Sequence, residues 1–355
     1  MENFVKPGSR VFVKPNLLLA ADPDRAATTH PEVLIAVINE LRQLGATVFF
    51  GDLPGGFHVG GTAVIQQQTG MKYVAEQTGA ELVTLEKSGF REIAIPGGKR
   101  LKSIHVPRFL DEVDTVISVC KLKTHMQTLF TGAVKNMFGL TTTQDRINAH
   151  RFSKYEEFAQ AVVDIFSVLT PALSIMDAVV GMEGTGPSRG SPVKLGFLAA
   201  SADAVALDTV ACSAVGFKPR EIGTIKDARS RGLGAGGIRD INMRGAGIES
   251  ISHTIKRPSS AVFLLMSAFA GPFTEITKVR PEIIEKKCTA CGKCAEVCPA
   301  AAIAFNGSAG RIDDDKCLLC FCCHEICPHG AVGLNKPILV RSWEIFKNFM
   351  ESRQR

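Results

Sequence analysis

From residue 10 to about 250, short apolar runs alternate with amphipathic stretches whose period is near 3.6. Arg10–Lys14 (R-V-F-V-K) reads as a strand, and Pro31–Leu44 as a helix with Val33, Leu34, Val37, Ile38, Leu41 and Leu44 on one face. Pro31 suits the first helical position, Thr29 or His30 can cap it, and Gly45 suits the stop. Thr47–Phe50, Glu81–Leu85 and Asp114–Val119 read as further strands. The pattern then predicts helices over Tyr155–Leu169 and Leu173–Val180, a strand over Leu195–Ala200, and an apolar helix over Asp203–Val215 capped by Ser201. This recurring β-α-β-α order predicts an α/β domain: a mostly parallel sheet with flanking helices.

Beyond it the pattern changes. The longest apolar stretch, Ala261–Phe273, covers 13 residues and is broken by Gly271-Pro272. A bilayer takes about 20, so no transmembrane segment is expected. The stretch reads as a buried helix joining two halves. Trp343, Phe346, Phe349 and Met350 recur at helical spacing and predict an amphipathic tail helix docked on its own protein. The organisation expected is therefore an α/β domain over 1–254, a connecting segment over 255–281, a cysteine-rich domain over 282–335 and a tail helix over 336–355. The first residues lack a basic stretch followed by an apolar one, so a cytoplasmic location is expected.

Composition narrows the function classes. With 355 residues, 45% hydrophobic and 21% charged, the chain can bury a large core and is neither disordered nor collagen-like. The net charge of +6 comes without a basic run, so nucleic acid is not an expected partner. Nine of the 11 cysteines fall between Cys288 and Cys327, which in a reducing compartment points to metal rather than disulfides.

That block is an internal repeat. Cys288, Cys291, Cys294 and Cys298 recur 29 residues later at Cys317, Cys320, Cys323 and Cys327. Pro299, Ala302 and Ile303 map onto Pro328, Ala331 and Val332. Each copy reads C-x2-C-x2-C-x3-C-P. In two-cluster ferredoxins with this run the fourth cysteine ligates the other cluster. The assignment is Cys288, Cys291, Cys294 and Cys327 around one 4Fe–4S cluster, and Cys317, Cys320, Cys323 and Cys298 around the second. Structural zinc is the competing reading, but zinc favours separated C-x2-C pairs, because three thiolates within seven residues crowd a tetrahedral ion. The result is a small α+β two-cluster ferredoxin domain whose clusters serve as its core. Cys322 falls outside the repeat and, beside Cys323, is either a spectator thiol or an alternate ligand, with the spectator reading favoured. His324 and His329 read as surface residues or hydrogen-bond donors.

Polar residues collect after the strands: Lys14 and Asn16 in V-K-P-N, Asp52 in F-F-G-D, Lys121, Lys123 and His125 in C-K-L-K-T-H, and Asp177 and Glu183 in S-I-M-D-A-V-V-G-M-E-G. Ligands of open α/β sheets bind outside the carboxyl ends of the strands, where this set converges. Any one of these is an ordinary loop residue; together they suit an anionic substrate, a divalent cation, or both. Gly232–Gly237 matches G-x-G-x-x-G, but a helix precedes it and the strand-like Asp240–Met243 follows, which is the reverse of a dinucleotide fingerprint. Gly184–Gly190, with Arg189, is equally an anion-binding nest or a plain turn.

V-K-P-N at 13–16, K-x-H at 123–125, T-G-A-V-K-N-M-F-G at 131–139, D-A-V-V-G-M-E-G-x-G-P at 177–187 and A-L-D at 206–208 resemble the domain-of-unknown-function 362 family. Some members carry an appended bacterial-type two-cluster ferredoxin domain. The resemblance supports Lys14, Asn16, Asp52, Lys123, His125, Lys135, Asn136, Asp177 and Glu183 as a site, and it supplies no reaction. Similar proteins carry a strand and helix before the V-K-P-N strand. Only nine residues precede Arg10 here, so either the start lies upstream or one sheet element is absent.

The function expected is an iron–sulfur oxidoreductase passing electrons through two 4Fe–4S clusters to a small anionic substrate in the α/β domain. The alternative is a non-catalytic electron-transfer or scaffold protein that docks a redox partner. No nicotinamide or flavin motif is visible, so electrons are expected from a partner protein.

Overall fold

The structure, a computed structural model, describes residues 1–54, 61–152, 154–258, 279–307, 309–335 and 337. The helices expected over Ala261–Phe273 and around Trp343–Met350 lie outside these residues.

Strand β1 (Arg10–Lys14) opens the sheet, and helix α1 (Pro31–Gln43) leads back to β2 (Thr47–Phe50). The His30 side chain caps α1 by accepting the Glu32 N–H at 3.2 Å. Helices α2 (Gly61–Gln68) and α3 (Met71–Thr78) precede a short β3 (Glu81–Leu82). A hairpin of β4 (Phe90–Ala94) and β5 (Ser103–Pro107) leads to the long β6 (Thr115–His125), which turns back as β7 (Leu129–Thr131). Then come α4 (Ala133–Asn136), α5 (Thr143–His150) and α6 (Tyr155–Val168). The domain continues through β8 (Leu173–Glu183), β9 (Ser191–Ser201), α7 (Ala204–Ala214) and α8 (Gly223–Ser230).

The sheet runs β3-β2-β1-β6-β8-β9, with β7 beside β6. All neighbours are parallel except β7 and β9, which run antiparallel to β6 and β8. The alternation along β1 fills both faces: Val11 and Val13 pack with Leu34, Ile38 and Leu41 of α1, while Phe12 joins a second core with Phe158, Val162 and Phe166 of α6.

Three expectations change. Leu173–Val180, expected as a helix, is the start of β8, held between β6 and β9. An apolar run cannot be told from a buried helix by periodicity alone, and here pairing on both edges decides. The cap of α7 is Asp203, whose carboxylate accepts the Val205 and Ala206 N–H groups, while Ser201 only accepts the Asp203 N–H. Asp240–Met243 forms no strand: Ile238–Asp240 is a 3₁₀ turn and residues 241–243 have no regular structure.

The C-terminal unit carries the repeat into three dimensions. Strand β10 (Arg280–Ile283) pairs antiparallel with β13 (Val332–Asn335), and β11 (Ile303–Phe305) with β12 (Gly310–Ile312). Helices α9 (Lys293–Glu296) and α10 (Cys322–Ile326) occupy equivalent places. The left-handed backbone repeats as well: Ala290 (φ +54°) with Leu319 (+55°), Gly292 (+76°) with Phe321 (+60°), and Ala301 (+48°) with Gly330 (+63°). Four of these six residues carry a Cβ, a strain that persists only where the surroundings impose it. Here the imposed shape is a loop that turns successive cysteines inward.

The loop from Gly184 to Gly190 docks this unit on the sheet domain. The Arg189 guanidinium donates to the His324 carbonyl at 2.8 Å and to the Cys327 carbonyl, and the Ser188 hydroxyl donates to the Glu325 carbonyl. Gly186 lies so close over the Thr124 carbonyl that a Cβ would strike it. Met126, Val279 and Phe321 bury a small apolar contact beside this bracket. Of the two readings left open for the glycine loop, the turn describes its backbone, and its Ser188 and Arg189 side chains tie it to the C-terminal unit.

Candidate functional site

Two small cavities lie inside the C-terminal unit. Cys288, Cys291, Cys294 and Cys327 line one, and Cys298, Cys317, Cys320 and Cys323 line the other. Each expected quartet thus surrounds its own cavity, with the fourth cysteine crossing over from the other copy. The Cys298 and Cys327 sulfurs each accept a backbone N–H, from Ala302 and Ala331, at 3.2 Å. Four soft thiol ligands, apolar walls and N–H donors aimed at sulfur suit a four-iron cluster in each cavity. Among the described residues, no three of His, Cys, Asp and Glu converge tightly enough for a single metal ion.

A larger cavity of about 120 Å³ lies between the sheet domain and the C-terminal unit. Its floor comes from the carboxyl ends of the strands: Asn16 and Leu17 after β1, Asp52 and Leu53 after β2, Lys123 and His125 on β6, and Thr131 on β7. Lys135 and Asn136 on α4, and Arg146 and His150 on α5, form a wall. The lid is Val297, Cys322, Glu325 and Ile326 from the cysteine unit. Neither domain makes this cavity alone.

The floor is rigid. The buried Lys14 ammonium lies 2.8 Å from Asp52 and 3.3 Å from the Asn136 side-chain oxygen, just behind the cavity wall. Asp52 also accepts the Leu17 N–H, and Asn136 donates to the Ser118 hydroxyl at 2.9 Å. Burial pulls Lys14 down and Asp52 up, and their mutual contact opposes both shifts. Helix α4 is aimed by Asp208 of the A-L-D motif, whose carboxylate accepts the Ala133 and Val134 N–H groups. A side chain at Gly132 would collide with that carboxylate, so the approach requires glycine.

The charged groups that face the cavity are electrically frustrated. Burial, with help from Lys135, pushes Lys123 down to about 7. Its ammonium donates to the Ala27 carbonyl at 2.6 Å. Lys135 is pushed down to about 8, chiefly by burial, and lies over the Phe138 and Phe158 rings at 4.6 and 5.2 Å. Burial pushes Glu325 up to about 7 against the opposing pull of Lys135 and Lys123. His125 falls well below its ordinary range through burial and then Lys135. Its Nδ1 accepts the Gln127 and Thr128 N–H groups, so the ring proton sits on Nε2, 3.8 Å from Glu325. His150, stacked 4.5 Å from Phe158, is pushed down to about 3, again by burial first. The Asn16 side-chain oxygen and the Thr131 hydroxyl are buried on the cavity wall with no hydrogen-bond partner among the described residues. Unused polar atoms beside lysines and a guanidinium suit a small anion that also carries a donor.

Of the nine expected residues, six line the cavity: Asn16, Asp52, Lys123, His125, Lys135 and Asn136. Lys14 stands directly behind it. Asp177 and Glu183 do not line it. Asp177 holds the Lys121 ammonium at 2.8 Å and accepts the His30 N–H, and Glu183 pairs with Lys256 at 3.2 Å. Both carboxylates are engaged by lysines and leave no open cation pair. Thr131, Arg146, His150, Cys322 and Glu325 are additional. Arg146 and His150 lie four residues apart on one helix, a spacing visible in the sequence; Cys322 stood out only as the cysteine outside the repeat. The His324 Nδ1–H donates to the Val332 carbonyl at 2.7 Å, and the ring is buried, so of the two readings the hydrogen-bond donor holds.

Comparison with known proteins adds a family and a relative. Residues 11–213 match the model of a domain of unknown function (DUF362), and residues 280–328 match a 4Fe-4S dicluster domain. The thylakoid-associated protein sll1697 of Synechocystis sp. (strain ATCC 27184 / PCC 6803 / Kazusa) is 32% identical over 235 residues, which is 66% of this chain and 71% of that protein. The lactate racemase apoprotein from Thermoanaerobacterium thermosaccharolyticum overlaps 59% of this chain and 49% of its own length, at 16% identity and a TM-score of 0.42. No helix among the described residues is long and apolar enough to cross a membrane.

Proposed function

The chain belongs to the DUF362 family and carries a C-terminal 4Fe-4S dicluster domain, and from that starting point we propose that it is an iron–sulfur oxidoreductase acting on a small anionic substrate. The observation that carries this reading is the lid: Cys322 and Glu325, set among the ligand cysteines of the ferredoxin-type domain, line one side of a cavity floored by Lys123 and His125 and walled by Lys135. A covalently attached electron relay that forms one wall of a binding cavity has a direct use in supplying electrons to what the cavity holds.

The residues divide the work. Lys123, Lys135 and Arg146 attract and hold the anion, because a buried cation without a full set of acceptors gains most from a charged ligand. The Thr131 hydroxyl and the Asn16 oxygen orient it. The His125 Nε2–H, the Lys123 ammonium and the Glu325 carboxyl are the proton sources within the cavity. Iron–sulfur clusters held by the two quartets would supply single electrons at a potential set by thiolate ligation, N–H···S bonds and burial. At about 120 Å³ the cavity is smaller than the roughly 300–1,000 Å³ of drug-sized ligand sites, which favours a guest of a few heavy atoms. The cytoplasmic location and a separate redox partner belong to the same proposal.

The test uses the full chain prepared without oxygen and carrying about eight irons. Reduced protein is mixed with a panel of small organic and inorganic oxoanions while cluster reoxidation is followed by absorbance. One class of anion should accelerate reoxidation, and Lys123→Gln or Lys135→Gln should remove at least nine-tenths of that acceleration at unchanged iron content. If no anion accelerates it and the variants behave like the parent, the electron-carrier alternative replaces this reading.

A further inference from the structure

Cys322 is the cysteine of the block that the repeat does not use. Cys320 and Cys323, on either side of it, line the cavity of the second quartet, whereas Cys322 lines neither quartet cavity. It faces the large interdomain cavity instead, together with Lys135 and Glu325. It is therefore a neighbour of the quartet and not a member. The left-handed backbone at Phe321 (φ +60°) makes this turn, and Phe321 is fixed by packing with Met126 and Val279. Although turned toward the cavity, the Cys322 side chain is hydrogen-bonded to the Cys320 sulfur. The equivalent position 29 residues earlier is Lys293, so the first quartet has no thiol in this place. The cavity itself is built to hold a guest: Thr131, only 4% exposed, lines it with a hydroxyl that has no partner among the described residues.

The chemistry of ligation decides which way the proton points. A cysteine holds iron as a thiolate, so the hydrogen between the two sulfurs belongs to Cys322, which donates it to Cys320. Hydrogen bonds to ligand sulfurs and local net charge are among the factors that set a cluster's potential. A donor stabilises the added negative charge of the reduced state and raises the potential; a negative charge beside the same sulfur lowers it. Lys135 and Glu325 already act electrostatically on Cys322, and such effects are strong where water is sparse. We infer that Cys322 is the residue through which the cavity sets the potential of the second centre: its S–H bond to Cys320 raises the potential of the centre held by Cys298, Cys317, Cys320 and Cys323, and negative charge at that wall of the cavity lowers it. The inference rests on the oxidoreductase reading above and deepens it. An anion in the cavity makes the adjacent centre a stronger reductant just when an acceptor is in place. By reciprocity the anion binds the oxidised centre more tightly than the reduced one. No bond is made or broken in this coupling.

The test is a potentiometric titration of the full chain, prepared without oxygen and carrying about eight irons, with both centres followed by electron paramagnetic resonance. Cys322→Ala removes the donor. At the parent's midpoint, the reduced-to-oxidised ratio of one centre should fall at least threefold, which is about 28 mV at 59 mV per tenfold. The other centre should stay within twofold. Cys322→Ser keeps a donor and should leave both centres within twofold of the parent. Cys322→Asp puts a fixed carboxylate on the cavity wall and should lower the same centre at least threefold beyond Cys322→Ala. Lys135→Gln removes a positive charge facing Cys322 and should lower that centre at least twofold, which keeps the charge effect testable if Cys322→Asp fails to take up iron. The inference is overturned if Cys322→Ala moves neither centre or both alike, if Cys322→Ser falls as far as Cys322→Ala, or if neither charge variant lowers the centre as stated. No substrate is present, so the outcome is independent of whether any anion reoxidises the protein.

Discussion

Strand β1 buries Val11 and Val13 under one helical layer and Phe12 under the other, so the sheet domain is held by two large apolar cores. In the C-terminal unit one small buried cluster joins Cys294, Ile303, Cys323 and Val332, with Cys298 and Cys327 among the residues packed against it. A core in which the cysteines are as prominent as the aliphatic residues is a core waiting on its inorganic part. The sheet domain is stabilised by its side chains, and the cysteine unit by what its side chains hold. The difference teaches where each half is vulnerable, and it explains why the cavity between them depends on both.

The sharpest break in this comparison comes from removing iron. Chelation after oxidation should unfold the C-terminal unit altogether, a loss on the order of 10 kcal/mol if structural metal sites are a guide. Limited proteolysis should then digest residues beyond about 280 while the sheet domain keeps its own calorimetric transition. Equal loss of both halves would show that their cores are not separate. The converse substitution, Phe50→Ala at a fully buried position, should cost the sheet domain about 3–5 kcal/mol in urea unfolding. It should leave the iron content of folded protein unchanged.

A smaller effect, of about 100-fold or 2.7 kcal/mol, is expected for anion-dependent reoxidation in Lys123→Gln, a loss of the size removed with one well-placed charged donor. Its pH dependence has a definite sign. Lys123 is protonated below about 7, so anion affinity should be full there and fall as pH rises through that value, while the variant should lose this inflection. Stability moves the other way: between about 7 and 10.5 the folded state has released a proton that the unfolded state keeps, so folding gains as pH rises across that window. The smallest effect concerns the bracket. Arg189→Ala removes two charge-assisted hydrogen bonds to carbonyls and should weaken docking of the unit by about 1–3 kcal/mol. Faster hydrogen exchange in both α10 and the β6–β7 turn would check it, and a change confined to α10 would count against an interface role.

Much of this molecule is legible along the chain. The bounds of β1 and β2 follow from their short apolar runs, and α1 from its apolar stripe, Pro31 and a capping side chain. The cysteine quartets follow from spacing, because a 29-residue repeat with a crossing fourth ligand encodes its geometry within a short, nearly local segment. Six residues of the cavity were also legible, since the carboxyl ends of parallel strands must gather wherever the sheet forms. Tertiary structure alone decided the rest. Leu173–Glu183 is a strand because β6 and β9 flank it, not because of its own period. Asp177 and Glu183 leave the site because Lys121 and Lys256 reach them first. Cys322 and Glu325 join it because Arg189 clamps α10 over the sheet. Local spacing can specify ligands a few residues apart, but a cavity wall shared between Asn16 and Glu325 depends on how two separately formed surfaces meet.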